Sequence, residues 1–269
     1  MIVNPPNIVG LVLVKDEDLY VRTVVQNMLE FCDSLIILDN GSSDGTYSIL
    51  QELAALHSKI NLRQITSLAD SHKAIEQFAG TPTWLFAVDG DEIYDAGGLA
   101  RLRPELQSGK YNDYWHLYGH VLNCTEIDPV GKVAEGYMAP PARSMTKLYN
   151  FSAIESWIGC LQRLHGGDLR FKPGYDSQRT YAFFHNCSWE ESCFRCLHMV
   201  FLRRSTRTLT RRMHLCPVDA IRKDRASSRL LGAILFLTRY WVACVFRTSG
   251  KDKAYRRGSR HKKDVSAFL

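Results

Sequence analysis

No stretch of this chain reaches the roughly 20 consecutive apolar residues that a membrane-crossing helix needs. Its most apolar late region, residues 229–246, is interrupted by Arg239. The opening residues carry no basic segment followed by an apolar core, so a secretory leader is not expected. The eight cysteines show no disulfide-framework spacing, which points to a reduced, cytoplasmic compartment. Cys193 and Cys196 form the only close pair. A zinc site would need two more ligands at suitable spacing, and His198 is not one that the spacing supplies. Internal repeats and low-complexity linkers are missing too. So is any glycine in the turn after the first predicted strand, Lys15-Asp16-Glu17-Asp18, where a nucleotidyltransferase should carry a Gly-rich, basic loop.

What is present fits one large α/β domain, or one domain with an appendage, in 269 residues. Charge is split along the chain. Residues 195–269 hold 19 Lys and Arg against 4 Asp and Glu, although the net charge of the whole is only +6. An acidic first part and a basic tail imply different partners, the tail seeking anions such as phospholipid, nucleic acid or an anionic glycan. Residues 229–263, an apolar segment flanked by Arg and Lys with Tyr240 and Trp241 inside it, suit a helix lying peripherally on the inner face of an anionic membrane. A core-packing helix with a solvated basic tail satisfies the same pattern. Nucleic acid is disfavoured, because aromatics are sparse in the tail and no reading motif occurs.

Hydrophobic periodicity predicts strands at residues 8–14, 34–38, 60–65 and 84–88, alternating with helices at 19–31, 44–57 and 69–79. That order is the signature of a doubly wound parallel sheet. Beyond residue 96 the pattern predicts a helix at 99–106, strands at 113–124, 144–149 and 179–185, a loop at 131–141, and an Arg-loaded helix at 189–212.

Two segments carry chemistry. Trp84-Leu85-Phe86-Ala87-Val88 runs into Asp89-Gly90-Asp91-Glu92, placing carboxylates at the C-terminal end of a buried strand, where open α/β sheets bind ligands. Two carboxylates separated by a glycine can reach one Mg2+ or Mn2+, ions that favour carboxylate and phosphate oxygens. An acidic, solvated turn is the plainer alternative. Earlier, Ser34-Leu35-Ile36-Ile37-Leu38 ends in Asp39-Asn40-Gly41-Ser42-Ser43-Asp44-Gly45-Thr46: strand, tight loop, helix. Asp39 is positioned for a ribose or base N–H, or for its own loop backbone. The spacing of Asn40, Ser42 and Asp44 partly imitates a calcium loop, but its twelfth position is Gln51, not the bidentate Glu required.

Together with Val12-Leu13-Val14-Lys15-Asp16-Glu17-Asp18, these segments resemble, in order and spacing, family 2 glycosyltransferases of the GT-A fold with their DxD element. The likeness covers roughly residues 7–100 and fades beyond. It implies a doubly wound, mostly parallel sheet flanked by helices: a transferase domain over residues 1–190, with a nucleotide-sugar half to 100 and an acceptor half from 101. A basic helical C-terminal region over 191–269 follows. It also implies a metal-dependent hexosyltransferase acting with inversion. Such an enzyme would move a sugar from a nucleoside diphosphate donor, preferably UDP-linked, to a glycan or lipid-linked acceptor of the cell envelope, with Mg2+ or Mn2+ as cofactor. A non-catalytic nucleotide- or glycan-binding protein on a degenerate transferase fold is the alternative.

Under this resemblance the nucleotide would meet Leu13, Val14, Lys15, Glu17, Asp39, Asn40, Lys73, Asp89 and Gly90. Lys73 departs from the Arg that relatives often carry near that position. Asp89, Asp91 and a later histidine would hold the metal. His185, at the end of an apolar strand, is the leading candidate, with His165 in reserve. A carboxylate in the second half would deprotonate the acceptor. Glu155, set among apolar residues that would raise its pKa, is expected ahead of Asp168 and Glu135. Glu155 and Asp91 are the expected catalytic pair.

Overall fold

The computed structural model describes residues 5–143, 147–207 and 250–269. It is a mixed α/β structure built on a seven-stranded sheet and a five-stranded sheet. In chain order the first half runs β1 (Asn7–Val14), α1 (Val21–Met28), β2 (Ser34–Asp39), α2 (Thr46–Leu56), β3 (Ile60–Gln64), α3 (Asp70–Glu76) and β4 (Thr83–Asp89). Every β1 residue after Asn7 is buried, because parallel strands with helices on both faces have no wet side. α1 turns Val21, Val24, Val25 and Met28 inward at helical spacing. It is shorter than its apolar pattern predicts, since the hydrogen-bonded turn at Glu17 and Tyr20 precedes it. Strands β3, β2, β1 and β4 are parallel neighbours, in agreement with the predicted sheet.

Next come β5 (Glu92–Tyr94), α4 (Ala96–Gln107), β6 (His116–Tyr118), β7 (His120–Asp128), β8 (Val133–Ala139), β9 (Leu148–Asn150), β10 (Ile154–Ile158), β11 (Asp168–Phe171) and β12 (Thr180–Ala182). The last are β13 (Arg195–His198), α5 (Gly250–Tyr255) and β14 (Arg260–Asp264). The large sheet has the order β12-β6-β9-β4-β1-β2-β3, with β9 antiparallel to both neighbours. The smaller sheet has the order β14-β8-β7-β13-β5, and β10 pairs with β11 alone.

Two sequence expectations are corrected. Residues 133–139 form a strand, not a loop. Their small side chains reflect close packing: a Cβ on Gly136 would sit 2.1 Å from the Asn123 carbonyl oxygen. Residues 195–198 form a strand, not part of a helix. Cys196, Leu197 and His198 are buried between β5 and β7, while Arg195 at the strand's start turns to Asp95. β13 and β14, from the later chain, join β5, β7 and β8 in the smaller sheet. The predicted membrane-surface helix at 229–246 lies outside the described residues. Among those described, no helix is long and apolar enough to cross a membrane. The six cysteines among them are all unpaired thiols.

Candidate active site

The acidic segment sits where the chain leaves one sheet for the other. β4 ends at Asp89, Gly90 and Asp91 turn, and Glu92 opens β5. Register places Asp89 beside Leu13 and Asp39 beside Val14, so both acids flank the end of β1. Asp91 and Glu92 are 3% and 0% exposed, which excludes a solvated turn. Gly90 is required by proximity. A Cβ there would meet Glu17 Oε2 at 2.1 Å and Val14 Cγ1 at 2.8 Å. The turn after β1 thereby lies directly against the acidic segment.

Each acid has its own partners. Asp89 accepts from Lys147 Nζ at 2.8 Å and from Arg163 Nη2. Burial works against its ionisation, but the Arg163 and Lys147 cations hold its carboxyl well below the usual range. Arg163 lies in the loop between β10 and β11. That loop is pinned to α3, where Ser71 Oγ accepts the Arg163 N–H at 2.9 Å. The ring nitrogens of His72 lie 2.6 and 2.7 Å from the carbonyl oxygens of Arg163 and Trp157. Glu92 is pushed up to about 8 by burial, against the pull of Lys147 and with the help of Asp89. Glu17 is raised too, chiefly by burial, despite its ion pair with Arg204.

Asp91 faces a different set. Arg204 Nη1 lies 2.6 Å from Glu17 Oε1 and 2.8 Å from Asp91 Oδ2, so one guanidinium nitrogen bridges two carboxylates. His198 Nε2 stands 3.7 Å from the same Asp91 oxygen. Asn123 fixes the imidazole. Its Nδ2 donates to the Tyr137 and Arg143 carbonyls, leaving Oδ1 to accept from His198 Nδ1 at 2.9 Å. Burial lowers the His198 pKa, against the pull of the Asp91 and Asp89 carboxylates. With Nδ1 carrying the proton, Nε2 presents a lone pair toward a carboxylate oxygen. Arg204 already donates to that oxygen, so guanidinium and imidazole meet at one carboxylate.

These donors suit a hard divalent cation. An imidazole whose other nitrogen is held by a hydrogen bond, as Asn123 holds His198 Nδ1, has the arrangement of a metal-ligating histidine. Glu17 Oε2 is buried with no hydrogen-bond partner. Among the described residues no group of three or more His, Cys, Asp or Glu side chains is placed to hold a metal ion. An ion such as Mg2+ would have to rest on one or two carboxylates and complete its shell with substrate phosphates and water.

The remaining predicted positions divide. Leu13 and Val14 are buried at the strand end, and the Val14 carbonyl accepts from the Asn40 N–H at 3.0 Å. Asp39 is fully buried and accepts from Ser42 N–H and Gln64 Nε2, so it bonds its own loop. Asp44 accepts from Thr46 N–H, at the start of α2, and from Ser205 Oγ, so its carboxylate is engaged locally and not in a calcium cage. Lys15 is exposed. Lys73 is 71% exposed and pairs with Asp70. His185 stands apart from Asp91. It closes a one-turn helix after β12, the edge strand three positions from β4. The histidine beside Asp91 is His198, because β13 returns antiparallel to β5 and sets His198 opposite Glu92. Glu155 is exposed on β10 and lacks the apolar enclosure expected of it, since its apolar neighbours Ile154 and Trp157 turn inward. Asp168 is exposed beside Arg170, Glu135 pairs with Arg260, and His165 lies in the β10–β11 loop.

Sequence reasoning missed Lys147, Arg163, His198 and Arg204. A lone Lys or Arg far along the chain gives no local signal of a buried acid partner.

No protein-family model matches the chain, and neither does any curated protein. Its structure is similar to a mannosyltransferase from Pyrobaculum calidifontis solved with GDP-mannose and Mn2+, at 14% identity over 93% of this chain and 85% of that one, TM-score 0.44. It is also similar to glucosyl-3-phosphoglycerate synthase from Mycobacterium tuberculosis, solved with Mn2+, UDP and glucosyl-3-phosphoglycerate. That match has 17% identity and TM-score 0.31, and covers 43% of this chain and less than half, 44%, of the synthase. A UDP-glucose pyrophosphorylase bound to UDP-glucose matches at 10% identity over 61% of this chain and 76% of its own, TM-score 0.28. Likeness at this level concerns the α/β fold class and says nothing of chemistry.

Proposed function

We propose that this protein is a glycosyltransferase that takes a sugar from a nucleoside diphosphate sugar, UDP-linked by preference, with Mg2+ or Mn2+ as cofactor. The observation that carries the reading is the buried meeting of Asp91, Glu17 and His198 at the C-terminal edge of parallel strands. Asp91 and His198 would hold the ion, with substrate phosphates and water completing its shell. Bound there, it would supply Lewis-acid neutralisation of the diphosphate leaving group.

The chain's own residues do the rest. Arg163 and Lys147 keep Asp89 ionised and add positive charge beside the leaving group. Arg204, held between Glu17 and Asp91, adds a planar guanidinium of the kind that binds phosphate well. Val14, Asn40 and Asp39 frame the nucleoside at the end of β1. Family 2 membership rests on the three sequence segments, with Asp89-Gly90-Asp91 as the DxD element. Inversion needs a carboxylate to accept the acceptor's proton, and Glu155 holds that role in the proposal by chain position alone. The acceptor is a glycan or lipid-linked glycan.

The test is a panel of nucleotide sugars assayed with and without EDTA, alongside Mn2+ and UDP titrations of wild type, Asp91→Ala and His198→Ala. Release of UDP that needs metal and falls with both variants is expected. Metal-independent turnover untouched by Asp91→Ala would overturn the assignment. A second reading, nucleotide binding without transfer, draws on Arg204, whose paired carboxylates already have a cation. UDP binding with no turnover across the panel would favour it.

A further inference from the structure

A second concave surface lies on the same edge of the large sheet. Tyr114, Tyr118, Tyr181, Phe184, His185 and Asn186 are the main walls of an open cleft of about 440 Å3. β6 and β12 are parallel to each other, and β9 is antiparallel to both β6 and β4. β6 and β12 therefore point the same way as β4, and their C-terminal ends share its edge. Register sets the height. Leu117 lies level with Leu148, and Leu148 with Phe86, so Tyr118 stands level with Ala87, two residues short of Asp89. Strands sit about 4.8 Å apart, so the cleft begins about 10 Å from β4 at β6 and reaches about 14 Å at β12. Lys147, whose carbonyl accepts from the Ala87 N–H and whose Nζ reaches Asp89, occupies the interval.

The lining is unusual in composition. Three phenols come together, and among the described residues none of their hydroxyls has a hydrogen-bond partner. Burial raises the pKa of Tyr118 and Tyr181, so both remain neutral donors. Tyr114 and Tyr181 contact each other with centroids 5.3 Å apart, and His185 packs on Phe184 at 4.7 Å. Asn186 Nδ2 is committed to the Ala182 carbonyl, which leaves its side-chain oxygen as an acceptor. No lining residue is anionic or permanently cationic, so the cleft is not built for a phosphate or a carboxylate. Purely apolar cargo would leave the phenols unsatisfied. A pyranose answers both demands. Its C–H face packs on an aromatic ring, and its hydroxyl rim meets phenols, imidazole and amide.

We propose that this cleft binds a neutral oligosaccharide, the acceptor, and that its distance from Asp89 lets a short glycan reach from the tyrosines to the transferred sugar. The assignment deepens the transferase reading and rests on it. It also gives His185 a place: a side chain for sugar hydroxyls, not a metal ligand.

The experiment measures full-length protein on an array of neutral oligosaccharides, with UDP affinity measured in parallel. Two double variants are compared, Tyr114→Ala with Tyr181→Ala, and the milder Tyr114→Phe with Tyr181→Phe. Wild type is expected to bind at least one glycan. The alanine pair should weaken that binding tenfold or more and the phenylalanine pair about threefold, with UDP affinity unchanged. If the alanine pair fails to fold, the phenylalanine pair decides alone. Glycan binding that neither variant alters would overturn the proposal, and so would a folded wild type that binds UDP but no glycan. Nucleotide, not glycan, lost with the tyrosines would overturn it as well. Glycan binding lost with the tyrosines in a protein that binds no nucleotide would keep the cleft and remove the donor reading instead.

Discussion

The two sheets were assembled by different rules. In the large one, β1, β2, β3 and β4 come from an uninterrupted stretch of alternating strands and helices: β1, β2 and β3 are successive neighbours, and β4 returns to the other side of β1. The smaller sheet collects β5, β7, β8, β13 and β14 from residues 92 to 264. The acidic segment joins the two. The large sheet supplies Asp89 and the framing of Glu17. Later chain supplies the cations and the imidazole: Lys147, Arg163, His198 and Arg204. The acids therefore come from local sequence, while their charge state depends on chain returning from far away.

The comparison can be broken most severely at Asp91. Asp91→Ala should lower sugar transfer at least about a thousandfold, roughly 4 kcal/mol of transition-state stabilisation, with the fold intact by circular dichroism. A loss under tenfold would mean that the acids are structural. Arg163→Ala attacks the link from the other side. It removes one of two cations from a buried carboxylate, and should destabilise the protein by about 3 kcal/mol in urea titration while leaving the circular dichroism spectrum native-like. An unchanged midpoint would show that Lys147 alone suffices for Asp89.

Gly90→Ala tests how tightly the turn after β1 is pressed against the segment. The added methyl meets Glu17 and Val14, so a loss of about 2 kcal/mol and weaker UDP binding are expected. Glu92 offers a pH-resolved test. Its folded pKa is raised to about 8, so the folded state binds a proton that the unfolded chain releases near 4.3. Stability from this group is full below that lower value and is lost as pH rises to about 8, by up to about 1.4 kcal/mol per unit. Glu92→Gln should flatten this slope in melts from pH 5 to 8. An unaltered slope would assign it elsewhere, to Glu17 for example. The smallest effect is expected at Lys73, which is solvated and paired within its own helix. Lys73→Ala should shift UDP affinity less than twofold by calorimetry, and a larger shift would place phosphate at α3.

Legibility in the sequence followed contact range. Burial of β1, β2 and β4 was readable because an apolar run bounded by turn residues has few other stable fates. The strand at 133–139 was not, because Gly136 and its small neighbours are explained only by the Asn123 backbone against them. The strand at 195–198 was hidden by flanking arginines whose acid partners lie elsewhere: Asp95 for Arg195, and Glu17 and Asp91 for Arg204. His185 and His198 both follow apolar residues in sequence. Only pairing of β13 with β5 and β7 sets one of them at the acids.

What the sequence determined by itself was the parallel half of the sheet and the presence of carboxylates at its edge, because periodicity and turn chemistry act between near neighbours. Tertiary structure alone decided which charges face those carboxylates, which histidine stands beside them and where the tyrosines gather. Electrostatic partnership depends on distance in space, and strands that meet across a sheet leave no trace of that meeting in the order of residues.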